Sequence, residues 1–197
     1  MQEVEPSQRQ KWLADHKISI NRDLCYLTGS DMEDYLHDIA VMQRFADDNR
    51  WAMLDAIVKA MGGIVTGHIR SVHNYIDMDS MILRKGAISA QEGQTLVIPL
   101  NMRDGLLVCV GKGNPEWNES APHGAGRLYS RSKAKELFTV ETYAEQMKGI
   151  FSTCINESTL DEAPFVYKDY REIMECIKPT VKIIDRLVPI FNFKANG

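Results

Sequence analysis

The residues that invite chemistry lie in SAPHGAGRLYSR, where His123 is followed by Gly124, Ala125 and Gly126 and then by Arg127 and Arg131. Glycine lets a backbone approach phosphate closely and present its N–H groups as an anion-binding nest. Two arginines four residues apart add bidentate donors for phosphate oxygens. A histidine beside such a cradle can attack phosphorus or move a proton. The bland alternative is a surface loop that happens to be rich in small residues. The local density of Gly, His and Arg favours the functional reading.

Other candidates are weaker when read alone. His68 and His73 sit in GHIRSVHNYID, five residues apart. On a strand that spacing places them on opposite faces, so they would not share a metal, and each reads as a packed or hydrogen-bonded strand histidine. His16, in a polar leader, and His37, on a helix surface, read as bystanders. The Arg84-Lys85 pair of LRKGAIS could hold RNA phosphate, but a solvated turn explains it better. Lys168 of APFVYKDY reads at least as well as a plain surface lysine. The familiar nucleotide signatures fail: GLLVCVGKG lacks P-loop spacing, Lys112 precedes no Ser or Thr, and neither GxGxxG nor HExxH occurs.

These residues need a scaffold, and the pattern predicts an α+β chain of mixed strands flanked by helices. A long helix is expected over 31–61, where apolar residues recur at helical period from Tyr35 to Met61. Ser30 and Glu33 have capping-box spacing, and Gly62-Gly63 suits a C-cap. The acids of its other face, from Asp34 to Asp55, read as solvated rather than as a metal site. Short β-branched runs predict strands over 64–72, 80–87, 95–99 and 106–110. The stretch 111–131 is a long loop, which in a compact domain is usually functional. Helices follow over 132–137 and 140–148, with Thr139 as a cap, then a last helix over 170–187 interrupted near Pro179 and a strand over 190–193. A single domain over 1–197 is expected, with 1–19 a poorly ordered polar leader.

Composition bounds the partners. The 197 residues carry a net charge of -4, so any RNA contact must use a local basic patch. The four widely spaced cysteines fit reduced, individually buried thiols rather than a zinc or disulfide framework. There is no signal-like start and no apolar run of the ~20 residues that a membrane span requires. A soluble, cytoplasmic protein is expected.

Four segments taken in order are more specific than any one: VHNYID with RKGA, VIPLNMRDG, GKGNPEWNESAPHGAGRLYSR and LDEAPFVYKDYREI. Together they resemble the second half of RtcB-type RNA ligases, from about residue 20 to the end. The resemblance implies an enzyme that joins an RNA 3′-phosphate or 2′,3′-cyclic phosphate to a 5′-hydroxyl, using GTP and Mn2+. It implies His123 as the histidine that carries GMP, within a nucleotide site of Gly124, Ala125, Gly126, Asn101 and Lys168. His73 becomes a manganese ligand, against the reading of that residue alone, and Lys85, Arg127 and Arg131 become RNA-phosphate contacts.

The same resemblance marks departures. The family's other metal ligands belong to an aspartate–cysteine box and to two further histidines, one in a GGGNH-type box, and those motifs do not occur here. Asp23 and Cys25 in RDLC have the wrong spacing, and Leu106 stands where family members often carry a serine. The expectations are therefore a gene fragment, a half that needs a separately encoded N-terminal partner, or a degenerate paralogue. The alternative activity is a non-catalytic RNA- or nucleotide-binding module.

Overall fold

The computed structural model describes residues 26–194, and before them only Lys11 and Asp15. The leader 1–19, His16, Asp23 and Cys25 thus fall outside the described residues. The chain packs as two units, 1–64 and 65–197.

The first unit contains helix α1 (Gly29–Met61). It is two residues longer at its start than expected, and its cap differs. Thr28 occupies the N-cap position with no side-chain capping bond, so the Ser30–Glu33 box does not form. The C-terminus follows the sequence: Gly62 takes φ 65°, and the N–H groups of Gly62 and Gly63 close on the carbonyls of Lys59 and Val58. The acidic face carries exposed pairs, Asp47 with Arg50 and Asp55 with Lys59. Such pairs contribute a few tenths of a kcal/mol each, about 0.2–0.5. Tyr35, Met42, Phe45, Met53 and Ile57, on the apolar positions, remain exposed.

In the second unit, β1 (Tyr75–Asp77) and β2 (Ile82–Arg84) form an antiparallel hairpin. The segment expected as a strand over 64–72 is not one; the sheet begins three residues later. The single strand expected over 80–87 is divided, since β2 ends at Arg84 and β3 (Ala87–Ser89) belongs to another pair, whereas β4 (Thr95–Asn101) and β5 (Gly105–Gly111) lie close to the expected bounds. The loop after β5 holds a turn of 3-10 helix at Pro115–Trp117 and a short strand, β6 (Ser120–Pro122), which pairs with β3. Helices α2 (Arg131–Leu137) and α3 (Val140–Gln146) follow, and Thr139 caps α3 through a reciprocal bond with Thr142. After β7 (Phe151–Ser152) come two 3-10 segments, Glu157–Glu162 and Pro164–Val166, and then α4 (Tyr170–Cys176).

The chief departure lies at the end. Only Tyr170–Cys176 is helical; past Pro179 the chain turns into β8 (Val181–Leu187), which joins β4 and β5 in an antiparallel sheet of order β4-β5-β8. The apolar spacing of 181–187 fitted a helix, but Pro179 breaks the helix before it, and pairing with β5 supplies partners for the backbone groups of 181–187. β9 (Phe191–Asn192) then runs parallel to β7.

Alternation along β4 buries Leu96, Ile98 and Leu100 beside Leu107 and Cys109 of β5, with Ala121, Ala125 and Ile173 in the same core. A second core gathers Met102, Ala134, Tyr143, Leu160 and Val166. Cys109 and Cys154 are buried thiols, whereas Cys176 is exposed, contrary to the expectation of burial. No helix among the described residues is long and apolar enough to cross a membrane.

Candidate active site

His123 directly follows β6. The β3–β6 register pairs Ala87 with Pro122, so the next rung sets His123 opposite Gly86. There the His123 N–H meets the Gly86 carbonyl at 3.4 Å, and the ring Nδ1 lies 2.7 Å from the same oxygen. A carbonyl oxygen can only accept, so Nδ1 carries a proton, and in the neutral ring Nε2 keeps its lone pair. Gly86 is at φ 66°, and the imidazole packs against the side on which a Cβ would stand.

The resemblance implies His73 as a metal ligand; the structure sets its ring beside that of His123. Its ring centroid is 4.8 Å from that of His123. Both histidines are exposed. Lys85, also exposed, adjoins Gly86, whereas Arg84 neither reaches solvent nor forms part of a solvated turn. Arg84 is 2% exposed and is bonded to Asp77, Tyr75, Ser120 and the Asn118 carbonyl.

The glycines beyond His123 run along the sheet. Ala125 donates its N–H to the Pro99 carbonyl, and a Cβ on Gly124 would stand 3.1 Å from that oxygen. Arg127 bridges to Tyr167, and Lys168 donates its N–H to the Gly126 carbonyl. The Lys168 side chain therefore lies over Gly126, its Nζ 4.0 Å from the position of a Cβ there. His73, His123, Gly124, Gly126 and Lys168 are thus drawn together from segments far apart in sequence. Asn101 serves its own turn: its Oδ1 accepts from the N–H groups of Arg103 and Asp104, and its Nδ2 donates to Asp104.

Arg127 and Arg131 face carboxylates. Arg127 pairs with Glu162 at 3.3 Å and Arg131 with Asp161 at 3.1 Å, and Lys135 and Lys194 join the same two acids. Four cations around two carboxylates leave a local positive excess despite the negative total charge. The Arg131 side chain is 74% exposed and can meet a further anion, whereas that of Arg127 is 27% exposed and mostly engaged.

Burial pushes the Glu162 carboxyl up, but the Tyr167 hydroxyl together with Lys194 and Arg127 outweighs it and holds the group below its ordinary range. Asp104 is likewise desolvated yet held low by Arg103 and Asn101. Because both folded-state values lie below the unfolded ones, their contribution is present above the unfolded pKa and is lost as pH falls through the folded pKa. The melting temperature is therefore expected to fall as pH drops below 4.5, the ordinary value of Glu162. Glu162→Gln should flatten that slope in a pH series of thermal melts; an unchanged slope would contradict this assignment. At the other end, burial and the bond to Glu162 push the Tyr167 hydroxyl up to about 12.

Among the described residues, no three His, Cys, Asp or Glu side chains converge as a metal requires. His73 offers one imidazole. Sequence reasoning missed the Asn74–Gly86 bond that stands behind His123 and the burial of Arg84. Asn74 carried a faint signal, since asparagine tolerates the left-handed backbone it adopts at φ 58°.

Comparison with known proteins adds what geometry alone does not. The family described as tRNA-splicing ligase RtcB matches residues 4–195. The chain is similar to the RNA-splicing ligase RtcB of Escherichia coli K12, with 34% identity over 184 residues covering 83% of this chain and 45% of that protein. It is also similar to the tRNA-splicing ligase RtcB of Aeropyrum pernix, with 30% identity over 148 residues covering 72% of this chain and 28% of that protein. The chain thus spans less than half the length of these curated relatives.

Proposed function

We propose, since this chain belongs to the RtcB family of tRNA-splicing ligases, that His123 is the nucleophile of a GTP-dependent RNA-joining reaction. The observation that carries this reading is the His123 ring, exposed and fixed through Nδ1 to the Gly86 carbonyl, so that in the neutral ring Nε2 is the nitrogen that holds the lone pair. A neutral imidazole nitrogen is a good nucleophile, and once protonated it is a good leaving group.

In the first step Nε2 attacks the α-phosphorus of GTP. A P–N bond forms, the bond from the α-phosphorus to the bridging oxygen breaks, and pyrophosphate leaves. Nδ1 retains its proton against Gly86, so the developing positive charge of the ring rests beside a carbonyl oxygen. An oxygen of the RNA 3′-phosphate then attacks the same phosphorus, and the P–N bond breaks to return neutral His123. Finally the 5′-hydroxyl attacks the 3′-phosphate, loses its proton and displaces GMP. Lys168, over Gly126, suits the charge of the bound GMP, while Lys85 and Arg131 suit RNA phosphates. Leu106 and the internally bonded Asn101 leave guanine recognition to other groups. His73 is proposed as one manganese ligand. The remaining ligands would come from the portion of the relatives that this chain does not span, carried on a longer chain or a separate partner.

Incubation with GTP and Mn2+ followed by intact-mass spectrometry tests the nucleophile. The expected result, with the missing portion supplied, is an adduct of one GMP mapping to His123, absent from a folded His123→Ala protein. An adduct persisting in His123→Ala would overturn the assignment. A folded, complemented wild-type protein that bound RNA but never formed the adduct would favour a non-catalytic binding module.

A further inference from the structure

His123 is held by Gly86, and Gly86 is itself held. Its N–H donates to the Asn74 side-chain oxygen at 2.7 Å. Asn74 immediately precedes β1, and the register pairing Tyr75 with Arg84 brings it to the open end of the hairpin, near Lys85 and Gly86. Gly86 is therefore the junction of two ladders: behind it the β1–β2 hairpin, ahead of it the β3–β6 pair that ends on His123. Both Asn74 and Gly86 take positive φ, 58° and 66°. A non-glycine residue there is under strain that its surroundings must maintain, and such strain gathers at functional sites.

We propose that Asn74 is a positioning residue for His123, its carboxamide oxygen fixing Gly86 so that the Gly86 carbonyl selects the Nδ1–H tautomer and leaves Nε2 free. The inference rests on His123 being the nucleophile for its catalytic meaning, but not for its structural content. Without the Asn74 acceptor, Gly86 with no side chain is free to rotate, and its carbonyl leaves the imidazole. The ring then exchanges tautomers, and part of the population carries its proton on the nitrogen that should attack.

The choice of variants separates this role from folding. Asn74→Gly removes the acceptor while accommodating φ 58°, so the backbone is not additionally strained. Asn74→Asp keeps an oxygen acceptor and serves as the conservative rescue. The measurement is long-range 1H–15N correlation of the histidine rings in the full 197-residue chain, at about pH 8, above the ordinary imidazole range. The His123 signals are assigned by their loss in His123→Gln.

Wild type and Asn74→Asp are expected to show His123 as the Nδ1–H tautomer, and Asn74→Gly to show a mixture or the Nε2–H form. The backbone amide signals of the β4-β5-β8 sheet serve as internal reference for an intact fold. In complemented enzyme, Asn74→Gly should slow GMP-adduct formation by about tenfold, the kinetic equivalent of one hydrogen bond, with Asn74→Asp restoring most of the rate. A wild-type His123 found as Nε2–H, or an Asn74→Gly protein that keeps the Nδ1–H form, overturns the proposal even if the adduct forms. Conversely, a tautomer that shifts as expected in a protein whose adduct maps elsewhere would refute the nucleophile and leave the positioning of the ring standing.

Discussion

Replacing Asp77 with alanine is expected to destabilise the 65–197 unit by about 3–5 kcal/mol, the usual consequence of removing one partner from a buried ion pair. The Asp77 carboxylate lies 3.0 Å from Arg84 Nη1, and the Arg84 side chain is 1% exposed. In the variant the guanidinium keeps its neutral acceptors, the Tyr75 hydroxyl, Ser120 Oγ and the Asn118 carbonyl, but loses its counter-charge out of reach of water. Asp77 also accepts from the N–H groups of Asp79 and Ser80, so the β1–β2 turn loosens with it. Urea unfolding measures the loss. The double variant Asp77→Leu/Arg84→Met removes both charges and should recover most of the stability, because an apolar replacement of a buried pair is often neutral. A single variant losing less than about 1 kcal/mol, the range of an exposed pair, would mean that Arg84 is hydrated in solution. The effect reaches the site as well. Arg84 ties the hairpin that presents His73 and Asn74 to the loop that presents His123, so Asp77→Ala should also reduce any GMP adduct.

Gly105→Ala is the second large effect, expected at about 2–5 kcal/mol as the sum of left-handed strain and overpacking. Gly105 opens β5 at φ 81°, and a Cβ there would stand 1.9 Å from the Leu187 carbonyl oxygen and 3.0 Å from Pro189 Cδ. Neither is the far end of a flexible side chain, so β8 itself must retreat from β5, beginning at the Leu106–Leu187 pair. Gly93→Ala is the control. It shares the positive φ at 75° but meets open space, so only the strain of about 1–2 kcal/mol should appear. Equal losses in the two variants would show that the close approach of β8 to Gly105 does not hold in solution.

Both effects fall on groups whose importance local pattern does not reveal. The sequence by itself determined α1 to within two residues, because 3.6-residue apolar periodicity and a Gly-Gly stop are local properties of the chain. It determined β4 and β5 for the same reason, and the HGAGR box with its family. It misjudged 64–72, where β-branched residues lie outside any sheet, and 181–187, where helical spacing yields to a place beside β5. Strand formation needs a partner from elsewhere in the chain, and no window of sequence contains that partner. The site divides in the same way. Residue types and order single out His123 and, through resemblance, Lys168 and His73. Only the tertiary structure brings Gly86 under the His123 ring, Asn74 behind Gly86 and Arg84 into the interior, because each depends on two ladders meeting at one glycine. What a residue can do was written in its type; which nitrogen, which charge and which face it presents were decided by its neighbours in space.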